Sequence, residues 1–300
     1  MSPAFDHSRR AIPLMLLAVL LFAAMDGGMK WLGADYPPLQ VAAMRGAVAL
    51  PLVLGWILAR RRLHTLWRVH WPLHLLRGAL GIAMMVGFVY GLARMPMTTA
   101  YSIVFVSPLL ITALAVPLLG EQVGPRRWAA IAVGMIGVLV VLRPTGEGML
   151  SAAGLALLGA SACYSLATIT VRVLARRDST EAMVFWFLAL LAVGAGLLAI
   201  PGWVPIRVAD LWIFGLVGVS GALGQVVLTK AFQVGEASQL APLEYTGLVW
   251  VVLLDLTVWG VLPDRTTWIG AAIIVTSGVY LLHRDRIRRP GKESPPVKPN

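Results

Sequence analysis

The sequence predicts an all-α integral membrane protein with ten transmembrane helices, arranged as two inverted five-helix repeats. Three observations lead there. Of 300 residues, 58% are hydrophobic and only 13% are charged, against about 45–50% and about 25% in an average soluble domain. The apolar residues are gathered into long runs, and a helix needs about 20 of them in succession to cross a bilayer. Finally, Lys and Arg fall overwhelmingly at one set of run ends, the asymmetry that orients membrane helices.

Taken in order, the runs lie near 11–33, 39–59, 73–93, 98–119, 127–142, 151–173, 182–201, 211–232, 238–260 and 266–283. The stretches Met95 to Gly120, Gly148 to Val171 and Ala182 to Ile206 contain no charged residue. The fifth run is short. The connections are short too and carry breakers such as Tyr36-Pro37-Pro38, Arg143-Pro144-Thr145-Gly146 and Pro201-Gly202, leaving no room for a soluble domain. The tail at 285–300 is basic and proline-rich, a composition expected to be disordered. No cleavable signal peptide is expected, because the first run lacks a small-residue cleavage site and runs into Asp26 and Lys30.

With the N-terminus in the cytoplasm, nineteen of the 25 Lys and Arg residues fall on the cytoplasmic side. Five fall on the other side, and Arg45 lies inside a helix. That bias puts both termini inside, which requires an even number of helices and agrees with ten. It implies a multi-pass protein of the inner, cytoplasmic membrane. The net charge of +11 does not imply nucleic-acid binding, because the cations flank apolar runs instead of lining a soluble face. A single cysteine, Cys163, excludes an internal disulfide and a cysteine-rich metal site.

The chain also repeats. Residues 11–144 and 151–284 share a helix rhythm, and a shift of 140 aligns Gly81 with Gly221, Gly120 with Gly260 and Trp128 with Trp268. Five helices per half is an odd number, so the second half enters the membrane upside down. Inverted repeats of this kind recur in secondary transporters, with the solute site between the halves near the bilayer midplane.

Two segments carry a family resemblance. One runs from Ser107-Pro108 through Gly120-Glu121 to Trp128, Gly134, Gly137 and Arg143-Pro144. The other runs from Ala237 to Gly278 and includes Ala241-Pro242-Leu243-Glu244 and Trp268-Ile269-Gly270. Both resemble the EamA repeat of the drug/metabolite transporter superfamily. The second half departs from the first where Val261 stands opposite Glu121. The resemblance implies ten helices in two inverted repeats and transport of a small metabolite. Its members are similar to exporters of amino acids and drugs and to importers of riboflavin or S-adenosylmethionine, so it leaves the solute and the direction of transport open.

Charges inside a bilayer cost at least about 2.5–3.5 kcal/mol each on insertion scales, so they mark partners or a watery cavity. Asp26 and Lys30 are four apart on one helix face, placed either to pair or to serve ion coupling. Arg45 is suited to an anionic group on a solute or to a neighbouring carboxylate. Glu244, beside Tyr245, follows Pro242, whose ring weakens the local helix. Asp255 lies about three turns further on the same face and reads as interfacial. Gln225, Tyr101, Tyr90 and Trp250 are expected to line a solute site, with Ser107, Tyr164 and Thr168 further candidates. Arg77 and Glu121 read as loop-facing.

These features point to a secondary carrier of an amino-acid, flavin, nucleoside-like or drug-like solute. No phosphate-binding loop is present, so a gradient would drive transport, with Asp26 or Glu244 carrying the proton. An intramembrane enzyme is the alternative. It lacks a nucleophile–base set at depth, since His7, His64, His70, His74 and His283 all lie near helix ends. A non-transporting membrane scaffold is a third reading. No cofactor or metal is expected. The expected partners are a small-molecule solute and the lipid bilayer, with a homodimer left open.

Overall fold

The structure is a computed structural model that describes residues 3–94, 97–142, 151–258, 260, 265, 268–270, 272–273 and 276–277. The expected tenth helix and the tail at 285–300 fall largely or wholly outside those residues. Among the described residues every regular element is helical. In the first half these are α1 (Pro3–Leu32), α2 (Pro38–Ala59), α3 (Trp71–Leu92), α4 (Met97–Val104), α5 (Ser107–Leu119) and α6 (Pro125–Leu142). In the second half they are α7 (Ala152–Leu174), α8 (Thr180–Ala199), α9 (Leu211–Val234) and α10 (Gly247–Val258). One helical turn, Ala237–Leu240, and a 3-10 segment, Ala241–Thr246, precede α10.

Six helices, α1 to α3 and α7 to α9, are long and apolar enough to span a membrane. Of the remaining expected spans, the fifth is the single, shorter helix α6 and two are interrupted. The fourth run is two helices, α4 and α5, interrupted at Phe105 and Val106. The ninth is the turn, the 3-10 segment and then α10. The shift of 140 places the start of α5, Ser107, on the start of α10, Gly247, so the two interruptions are equivalent. The same shift pairs Gly120 with Gly260, and both adopt left-handed backbone, φ 70° and φ 66°. Glycine takes that conformation without the penalty a Cβ would incur.

Packing is reciprocal between the halves. Helix α1 packs along α9, and its counterpart α7 packs along α3. The counterparts α2 and α8 pack on each other. Such exchange is what a two-fold relation produces. Small residues make it possible, as expected for helices whose backbones approach closely. A Cβ on Gly46 would lie 2.7 Å from the backbone nitrogen of Ala192 in α8.

Polar cross-links tie the halves together at both ends of the bundle. At one end the Tyr36 hydroxyl donates to Asp210 at 2.7 Å, and Arg207 bonds Asp210 at 2.7 Å and pairs with Asp35. Gln40 there exchanges two hydrogen bonds with the backbone of Val204. At the other end Arg62 pairs with Glu181 at 3.2 Å and His74 Nε2 lies 2.7 Å from Asp178 Oδ2. Glu121 there accepts from the Ala237 N–H at 2.9 Å and lies 3.7 Å from Arg172. Glu121 therefore fastens α5 to the second half instead of facing a loop.

The Gly46 contact yields a prediction. Gly46→Ala should destabilise the protein by about 1–3 kcal/mol, because backbone must move to admit the methyl group. Gly55→Ala, where a Cβ meets nothing within 4 Å, should be neutral or stabilise by up to about 1 kcal/mol through helix propensity. Thermal unfolding of the two variants in detergent separates them.

Candidate functional site

A cavity of about 180 Å³ lies between the halves, bounded by α1, α2, α3, α7, α8, α9 and both interrupted elements. At about 10–15 Å³ per water centre that is room for on the order of a dozen waters. It suits a small metabolite better than a bare ion.

The polar groups arrive in two related pairs. The Tyr101 hydroxyl, on α4, donates to Asp26 Oδ2 on α1 at 2.6 Å. The Tyr164 hydroxyl, on α7, donates to Glu244 Oε1 on the 3-10 segment at 2.9 Å. Helix α7 is the counterpart of α1, and the 3-10 segment is the counterpart of the end of α4. Each half therefore contributes one tyrosine–carboxylate hydrogen bond between equivalent elements, with donor and acceptor exchanged. Phe105 and Tyr245, equivalent under the same shift, meet edge to face at 5.7 Å between ring centroids. They hold the two interruptions against each other.

Arg45 supplies the cation. It is 2% exposed, and its Nη1 lies 3.0 Å from the thioether sulfur of Met85. Thioether sulfur is a weak acceptor. Its Nε has no hydrogen-bond partner among the described residues. Gly221 makes room for this side chain, since a Cβ there would lie 3.0 Å from Arg45 Nε. Arg45 and Asp26 both line the cavity, on the neighbouring helices α2 and α1.

Of the residues expected from sequence, Asp26, Arg45, Tyr101, Gln225 and Glu244 line the cavity together, as do Tyr164 and Thr168. Lys30 is one turn beyond Asp26, in the last turn of α1 and outside the lining. Tyr90 also lies outside it, its ring 3.7 Å from the Arg94 guanidinium. Trp250 packs on the apolar cluster around Met15 and Phe232, and Ser107 bonds the Val104 carbonyl. Tyr245 is buried behind the wall against Phe105 and Gly134. The side chain of Asp255 lies outside the described residues.

Sequence reasoning missed Arg77. It lines the cavity at 2% exposure, donates to the Met183 carbonyl at 2.7 Å and sits 4.7 Å over the Phe187 ring. Its nearness to the predicted helix start disguised it as a loop residue. The adjacent Gly78 and Gly81, which face Leu190 and Phe187 of α8, were the available signal that this face is internal. Also missed were Met25, Met29, Met84 and Met85, whose thioethers give the wall a soft, adaptable surface.

Comparison with known proteins agrees with this architecture. The EamA-like transporter family matches twice, over residues 9–143 and 151–283. The chain belongs to that family. It is 31% identical over 300 residues to a riboflavin transporter of Rhizobium johnstonii, covering 97% of each chain. It is 28% identical over 281 residues to the pseudopaline exporter CntI of Pseudomonas aeruginosa, covering 92% of this chain and 97% of that one. A crystal structure 21% identical in sequence superposes with a TM-score of 0.77, over 94% of this chain and all of the other. Among the described residues no group of His, Cys, Asp and Glu side chains could hold a metal ion.

Tyr164 of α7 and Tyr245 of the 3-10 segment differ in partners, and that difference is testable. Tyr164→Phe should destabilise by about 1–3 kcal/mol, because it leaves a buried Glu244 oxygen without its donor. Tyr245→Phe should be neutral or stabilising, since its hydroxyl is buried with no hydrogen-bond partner among the described residues. Melting temperatures of the two variants give the comparison.

Proposed function

We propose that this chain is a secondary carrier that moves a small metabolite across the inner membrane by alternating access of the cavity. The carrying observation is Arg45, a buried and incompletely bonded guanidinium in a cavity where two interrupted helices meet. A guanidinium stays protonated across the working pH range and matches carboxylate and phosphate geometry. An incompletely bonded one inside a membrane protein is costly, so an anionic or strongly accepting group on the solute would suit it, beside the Asp26 carboxylate that already attracts it. The aromatic and methionine walls suit a planar or apolar body.

In this reading residues 11–144 and 151–284 are the two repeats, each contributing five helices, inserted in opposite senses to give ten. Residues 285–300 form a cytoplasmic tail, and both termini are cytoplasmic. The charge bias supports that orientation. The reciprocal packing of α1 on α9 and of α7 on α3 supports the two-fold relation. Proton coupling would run through Asp26 or Glu244, each held by one tyrosine hydroxyl. The relatives' names, a riboflavin transporter and a pseudopaline exporter, support a metabolite-sized solute and span different chemistries.

Purified protein in liposomes tests the proposal with a panel of amino acids, flavins, nucleosides and cationic drugs. Saturable flux of at least one solute is expected, and no saturable flux of any of them would sink the proposal. Arg45→Gln should raise the half-saturating concentration of an anion-bearing solute by about thirtyfold or more. Arg45→Lys should not restore it, because an ammonium lacks the planar fork. Glu244→Gln should abolish pH-driven uptake while leaving counterflow exchange intact. Equal loss of both would assign Glu244 to binding or folding instead.

A further inference from the structure

Two cations gather around one tryptophan on the wall of the bundle, outside the cavity lining. Arg60, at the C-terminal end of α2, lies with its guanidinium 5.1 Å from the Trp56 ring centroid. Lys230, near the end of α9, lies with its ammonium 5.6 Å from the same centroid. Two cations from different halves of the chain thus lie near one indole ring. An anion bound beside that ring would be attracted by both.

No carboxylate of the protein is available for that role among the described residues. At this end of the bundle Glu181 is paired with Arg62 and Asp178 is bonded by His74 and His70. Glu121 accepts from Ala237 and neighbours Arg172, and Glu236 accepts from Gln239. The backbone enforces the division of labour. Arg61 takes a left-handed conformation, φ 53°, that non-glycine residues seldom adopt. The chain turns there, sending Arg62 inward to Glu181 and leaving Arg60 exposed on the outer face.

Below the two cations the surface is apolar and uncovered. Leu52 of α2 and Leu223 of α9 are 47% and 52% exposed, and Gly55 faces open space. A pair of cations with an indole at the helix ends, above exposed leucines, matches one molecule with a phosphate at the membrane surface and acyl chains beneath it. The equivalent place in the other half has Gly196, Ile200 and Tyr90 where this one has Trp56, Arg60 and Lys230. The site therefore occurs at one end of the bundle only.

We propose that Arg60, Lys230 and Trp56 bind the phosphate of an anionic phospholipid and clamp α2 to α9 across the two halves. Native mass spectrometry of the purified full-length protein, titrated with phosphatidylglycerol or phosphatidylcholine, tests this. The wild type should bind phosphatidylglycerol in preference, and Arg60→Gln with Lys230→Gln should weaken that binding by about thirtyfold, at about 1 kcal/mol per cation. The charge-preserving pair Arg60→Lys with Lys230→Arg should keep most of it, which controls for folding. Thermal unfolding supplies a second measurement. Phosphatidylglycerol should raise the wild-type melting temperature by about 4 °C over phosphatidylcholine, and the glutamine pair should erase that difference while melting like wild type in phosphatidylcholine. Equal phosphatidylglycerol binding by wild type and the glutamine pair would overturn the proposal. So would inorganic phosphate giving the same protection, which would mark a site for free anions.

Discussion

Inside a bilayer every backbone N–H and C=O must find its partner within the protein, so a helix can be interrupted only where protein or a cavity covers the interruption. The rest of this structure depends on that constraint. The chain breaks its helical run twice, at Phe105 and Val106 and again over Ala241–Thr246. The described side chains of both breaks are buried or half-buried. Each is pressed against the other through the Phe105–Tyr245 ring contact and walled by the long helices that cross between the halves. The cavity lies where the breaks meet because that is where non-helical backbone can be accommodated.

The same constraint governs the charges. Asp26 and Glu244 are each held by a tyrosine hydroxyl, and Arg77 is spent on a backbone carbonyl and an aromatic face. Arg45 alone keeps a buried donor without a partner among the described residues of the cavity. Polar groups that bind one another stabilise a fold. A buried polar group left incompletely bonded is uncommon in a folded protein and calls for an explanation.

Much of this was legible in the sequence, for identifiable reasons. Hydropathy and length pick out α1 to α3 and α7 to α9 because each buries or presents apolar surface along its whole length. The 140-residue shift pairs the two glycines that adopt left-handed backbone, whereas the matched breaks inside the fourth and ninth runs were not legible because hydropathy continues through them. Asp26, Arg45, Tyr101, Gln225 and Glu244 were legible because a polar residue in an apolar run must have a reason. Tyr90, Tyr245 and Trp250 fall outside the cavity lining, and sequence could not tell this because an aromatic serves packing and binding equally well in a membrane. Arg77 was misassigned because sequence shows how near a residue is to a helix end and not which way its side chain points.

The exchange of donor and acceptor between the two tyrosine–carboxylate pairs bears on the ancestry of the chain. A dimer of the first half alone would place Val104 where Glu244 stands and would bring a second Arg45 to the place of Phe185. It would carry twin aspartates and twin arginines, and a solute would meet the same chemistry whichever way it lay. The two halves as they stand do not have that degeneracy. With an arginine and aspartate contributed by one half and a glutamate by the other, the cavity has a head and a tail. An asymmetric molecule can then occupy it in a single orientation, although the scaffold around it is built from two like parts.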